Sequence, residues 1–171
     1  MRLRLARAPF IRNRDGAALV EFTLSFPLLL ALGAGITEMG IALHQQHVIT
    51  KSVRDAARFA ARQFVAAPSC PLNTVAEWGT IVAETQSVAL RGKLSASAPL
   101  LLPNWSQAAQ VTVSDACSPA GALVSTAGAG ADFPVITVSA SVPYAGVGFL
   151  SLIGLSSFNI QASHSEMWVG L

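Results

Sequence analysis

The sequence predicts an α+β chain: a long N-terminal helix, then one small domain with a helix and an antiparallel sheet of about three strands. Three observations carry that. Residues 22–37 hold no charge and lie between Glu21 and Glu38. Apolar residues then continue at helical spacing as Ile49, Val53, Ala56, Ala60 and Phe64. Beyond Pro103 the pattern changes to β-branched and alternating segments, separated by stretches rich in Gly, Ser and Ala.

The first helix is long enough to cross a bilayer. With the small residues before Glu21 and Met39 to Leu43 after Glu38, the apolar stretch supplies the ~20 residues a spanning helix needs. Arg2, Arg4, Arg7, Arg12 and Arg14 all precede it, so the positive-inside bias keeps this end in the cytoplasm. A lone carboxylate near one end of such a segment is costly. Three readings accommodate it. A secretory signal peptide would have a shorter apolar core and a small-residue cleavage site, whereas here the apolar stretch runs on as a helical pattern. An uncleaved anchor would let Glu21 snorkel to the cytoplasmic interface. In the third reading, residues 1–16 are a basic leader cut after Gly16 on the cytoplasmic side. Ala17 is then the new N-terminus, and Glu21 the fifth residue of the mature chain. Glycine suits the cut, because a peptidase must bind extended backbone there and no side chain obstructs it.

A helix over residues 17–65 would be ~73 Å long at 1.5 Å per residue, of which the bilayer needs less than half. The remainder projects outward as a stalk, so residues 17–67 form one unit that Pro68 stops. Pro27, inside the apolar run, is expected to kink the helix. Ala31 and Gly35 form a small-xxx-small pair that permits close helix contact. Glu38, at the outer edge, is expected to snorkel. Arg54, Arg58 and Arg62 fall opposite the apolar face, as a solvated stripe or a surface for an acidic partner. His44 and His47 are three apart, but no third ligand of suitable spacing lies nearby.

Residues 68–171 form the outer domain. Asn73 is placed to cap a helix over residues 74–91, which Gly92 ends. Strand character falls on Gln110 to Ser114, Val135 to Val142 and Phe158 to Val169. Ser118 to Gly130 reads as a surface loop. Gly146 to Leu155 reads as a short helix or a hydrophobic loop that docks on the bilayer, on another subunit or in the core. Cys70 and Cys117 both lie on the predicted outer side, and an even count in an oxidising compartment reads as one disulfide. Neither cysteine neighbours a histidine or basic cluster that would stabilise a reactive thiolate.

Composition narrows the class of protein. Charged residues are 12% and hydrophobic residues 52%, as for a membrane-anchored chain. From Ala66 onward Arg91 and Lys93 face Glu77, Glu84, Asp115, Asp132 and Glu166, so the outer domain is acidic and nothing suggests nucleic-acid binding. There is no G-x-S-x-G, P-loop, H-E-x-x-H or C-x-x-C motif. An enzyme would need a cleft holding His164, Glu166 and a nucleophile such as Ser163. The sequence assigns no catalytic residue, no cofactor and no metal ligand.

Arg14-Asp15-Gly16-Ala17-Ala18-Leu19-Val20-Glu21-Phe22, followed by Phe26-Pro27-Leu28-Leu29-Leu30, resembles the opening of TadE-like pseudopilins. These are minor pilin-like proteins of the tight-adherence (Flp) type IVb pilus system. The resemblance covers residues 12 to 60. Flp major pilins carry Glu-Tyr where this chain has Glu21-Phe22, which favours a pseudopilin. The resemblance implies a pilin-like architecture and cleavage between Gly16 and Ala17 by a prepilin peptidase, with N-methylation. It also implies a single-pass inner-membrane location, with the N-terminus cytoplasmic and the outer domain periplasmic, and possible entry into a fibre. The implied partners are the prepilin peptidase, other pseudopilins, the major Flp pilin, the inner-membrane assembly platform and membrane lipid. Glu21 would pair with the new α-amino group of a neighbouring subunit and set its axial register. The alternative is an uncleaved, bitopic, membrane-anchored module whose periplasmic sheet binds a ligand or envelope component.

Overall fold

The computed structural model describes residues 15–65, 70–118, 133–152, 154 and 158–170. The leader before Asp15, Pro68, and residues 119–130 of the expected surface loop lie outside the described residues. Helix α1 spans Asp15–Ala61, α2 Trp78–Arg91 and the one-turn α3 Phe149–Leu152. Strands β1 (Val111–Ser118), β2 (Phe133–Pro143) and β3 (Asn159–Met167) form one antiparallel sheet in the order β1-β2-β3. The expected α+β architecture is the one observed.

The two halves of α1 differ. From Gly16 to Gly33 every residue is exposed. Over Gly16–Ala61 the helix is long and apolar enough to cross a membrane, and none of its most apolar window is buried. From Glu38 outward it packs on the sheet and on α2. Ile49, Val53, Ala56, Ala57 and Ala60 are completely buried, and the alanines let the sheet approach the helix backbone. Ser52 donates a hydrogen bond to the Ala89 carbonyl of α2, another close approach through small residues.

α1 ends earlier than its apolar spacing suggests. Arg62 and Gln63 tighten onto Phe59 and Ala60 through bonds of 3.1 and 3.2 Å. The chain after β3 then supplies donors to the helix end, with Val169 N–H on the Ala61 carbonyl (3.0 Å) and Trp168 Nε1 on that of Gln63 (3.1 Å). Phe64 therefore leaves the helical face on which it was expected and stands 70% exposed, while Val65 is buried.

β2 is the central strand, and its alternation is regular: Ile136, Val138, Ala140 and Val142 face α1 and are buried. Val111 pairs with Ala140 on one side, and Val142 pairs with Ile160 on the other. Trp105 is fully buried in the same core.

The second helix starts later than expected. Leu72–Thr74 is a 3₁₀ turn that buries Leu72, and Asn73 caps nothing. Its backbone N–H instead donates to the Asp115 carboxylate at 3.0 Å. The cause lies beside it: Cys70 is bonded to Cys117, with Cα atoms 5.6 Å apart, and this bridge holds the turn against β1. Closing such a loop contributes roughly 2–5 kcal/mol. Gly92 ends α2 as expected, with φ 68° and its N–H on the Val88 carbonyl.

Candidate functional site

Two carboxylates bound the bare half of α1, and their surroundings are opposites. Glu21 is exposed, and its side chain makes no hydrogen bond among the described residues. It stands in the second turn of the helix, beyond Gly16 and Ala17, which are exposed in the first. Among the described residues, its chain neighbours and own helix backbone aside, nothing lies within 4 Å of where a Cβ at Gly16 would be. Phe22 stacks on Phe26 with ring centroids 5.3 Å apart, so its ring lies along the helix surface. Pro27 sits inside α1 and withholds the N–H that would reach the Thr23 carbonyl. The Thr23 hydroxyl bonds back to Leu19 and Val20 at 2.8 and 2.9 Å.

Glu38 does not snorkel. It is only 4% exposed, and its neighbours come from the far end of the sheet. The Tyr144 hydroxyl donates to Oε2, while the backbone N–H groups of Gly148 and Phe149 donate to Oε1 at 3.0 and 2.9 Å. A buried carboxylate needs donors of this kind to offset its lost hydration. Gly146 makes the approach possible, since a Cβ there would collide with both Glu38 Oε2 and the Tyr144 hydroxyl. Two turns further on, buried Gln45 clasps the same segment. Its Nε2 donates to the Ala145 carbonyl at 2.6 Å and its Oε1 accepts from the Ala145 N–H at 3.4 Å. The segment between β2 and α3 is thus pinned to α1 by two side chains. A signal for this was present in the sequence: a lone carboxylate in an apolar run, and a Tyr-Ala-Gly-Val-Gly-Phe segment rich in free backbone donors.

The remaining candidates separate. Arg58, in the arginine stripe, meets Glu166 of β3 at 3.2 Å, while Arg54 and Arg62 are solvated. His164 Nε2 lies 2.9 Å from the same Glu166 oxygen. The hydrogen bond with His164, and then the one with Arg58, hold the Glu166 carboxyl below its usual range against a burial that raises it. Ser163 points to the other face of β3 and is exposed, so it cannot join His164 and Glu166 in a relay. His44 and His47 are exposed on α1, and no cluster of three potential metal ligands occurs among the described residues. Cys70 and Cys117 are consumed by their disulfide.

Comparison with known proteins bears on the N-terminal part. The family profile described as TadE-like protein matches residues 16–58, about a quarter of the chain. The match begins at Gly16 and ends within the buried half of α1. No curated protein and no solved structure matches the chain.

Proposed function

We propose that this chain, which belongs through residues 16–58 to the TadE-like family, is a minor pilin or pseudopilin acting in assembly of a tight-adherence (Flp) type IVb pilus. The family is one of structural pilus components. The observation that carries the reading is the combination, on a bare apolar helix, of exposed Gly16 with an exposed Glu21 that has no side-chain partner among the described residues. A prepilin peptidase cuts after Gly16, for which the first helical turn must open. Cleavage releases the arginines and leaves Ala17 with a charged α-amino group. The helix stays in the inner membrane with the outer domain in the periplasm, where the Cys70–Cys117 bond is stable. Glu21 of one subunit then pairs with the new amino group of a neighbour and fixes their axial offset. An isolated carboxylate in lipid costs a few kcal/mol, and pairing offsets that cost only when subunits are in register. Other pseudopilins, the major pilin and the assembly platform are the partners this role requires.

Processing is testable without knowing those partners. Intact-mass spectrometry of protein from host membranes, with and without the prepilin peptidase, should find a chain beginning at Ala17 only when the peptidase is present. A mature chain that still begins near Met1 would leave the uncleaved anchor with a binding sheet as the better account.

A further inference from the structure

An apolar groove of about 600 Å³ runs along the bare half of α1. Phe26, Leu30 and Ala34 line it from α1, and Phe149 and Leu150 of α3, with Phe158 just before β3, form one wall. Among the described lining side chains only Glu38 and Tyr144 carry polar N or O atoms, and these two are bonded to each other.

We propose that this groove holds the acyl chain of a glycerophospholipid, and that α3 and Phe158 therefore sit at hydrocarbon depth in the leaflet on the domain's side. The proposal rests on the reading of α1 as membrane-spanning. Depth is its first support. The wall is fixed to α1 at Glu38, yet the groove it closes reaches Phe26, ~18 Å further along the helix at 1.5 Å per residue. That stretch belongs in hydrocarbon if residues 16–37 cross the bilayer. Chemistry is the second. A carbon-lined groove with its polar groups already satisfied offers water nothing to bond, and a hydrocarbon chain needs nothing more.

Along the helix the groove runs ~24 Å, from Phe26 to Ala42, and stays half open to its surroundings, so a flexible hydrocarbon chain can lie along its length. The groove is also continuous with Leu24, Leu28 and Leu32, each more than half exposed, so a lipid beside the helix can enter sideways.

Photo-crosslinking of the full chain in phosphatidylethanolamine–phosphatidylglycerol nanodiscs tests this. A diazirine amino acid replaces Leu24, Leu150 or Phe64 in separate variants, and mass spectrometry identifies the adducts. Intact Cys70–Cys117 pairing reports that each variant has folded. The expected result is lipid adducts at positions 24 and 150 and none at 64. Adding Ala34→Phe, which fills the groove, should abolish the adduct at 150 and leave that at 24. Lipid at 24 with only protein adducts at 150 would mean that a second copy covers the groove, overturning the proposal while leaving the spanning reading intact. An adduct at 150 that survives Ala34→Phe would place lipid outside the groove and also overturn it. No lipid at 24 would remove the spanning reading itself, and the proposal with it.

Discussion

Glu21 and Glu38 are both acidic residues on the same helix, each at one end of a stretch without charge, and the fold treats them in opposite ways. Glu38 is enclosed by a tyrosine hydroxyl and two backbone N–H groups, all from the chain's own outer domain. Among the described residues Glu21 is given no partner. The same contrast extends to the halves of α1 that they mark: the outer half is sealed by a core and the inner half is bare. A costly group that the chain satisfies by itself serves the monomer. One left without a partner among the described residues, on an equally bare surface, is what the proposed subunit pairing rests on.

Paired substitutions in the two halves should separate most in stability. Ile49→Ala empties a fully buried site and should destabilise the outer domain by about 2–5 kcal/mol. Leu24→Ala, at a position 75% exposed, should change it by less than about 0.5 kcal/mol. Denaturant unfolding in detergent, followed through the fluorescence of the three tryptophans, all in the domain beyond α1, reads both, and equal losses would erase the distinction between the halves.

A more local effect is expected at the pin. Glu38→Ala removes the acceptor for Gly148 and Phe149, so their amides should exchange with solvent faster while those of β2 stay protected. Hydrogen-exchange mass spectrometry resolves the two segments. Unchanged exchange at 148–149 would show that the α3 segment is held without Glu38.

The smallest effect concerns Glu166. Its pKa is depressed in the folded state, so its contribution is present above the ordinary carboxylate range and is lost as pH falls through the lowered value. The pair with Arg58 is partly solvated, so Glu166→Gln should cost at most about 1 kcal/mol at neutral pH. The difference in Tm between the two proteins should close as the pH is lowered into the acid range. A gap that stays constant would assign the effect to something other than ionisation.

Local signals in the sequence were read well where one principle acted alone. The unbroken apolar run, the β-branched residues of β2 and the helix-ending glycine at 92 each determine their element, and each appears where expected. The cysteines pair as an even count in an oxidising compartment suggests. Boundaries were missed where a distant partner intervened. Asn73 has the chemistry of a helix cap, but the disulfide three residues earlier fixes the chain in a turn and hands its N–H to Asp115. Phe64 keeps the helical spacing of its predecessors, but donors from Trp168 and Val169 stop the helix at Ala61. Glu38 illustrates the same gap at the candidate site. Its burial depends on Tyr144 and Gly146, more than a hundred residues away, and no periodicity within α1 encodes that meeting.

The central claim is that Glu21 acts after cleavage, on a partner outside its own chain. Pulse-chase of Glu21→Ala beside Gly16→Leu, scored with pilus production in the native host, tests it most directly. Glu21→Ala should be cut after Gly16 at the normal rate, reach normal membrane levels and yield no pili, because a helix freed of its charge inserts at least as readily. Gly16→Leu should accumulate uncut. Normal piliation with Glu21→Ala would contradict the account.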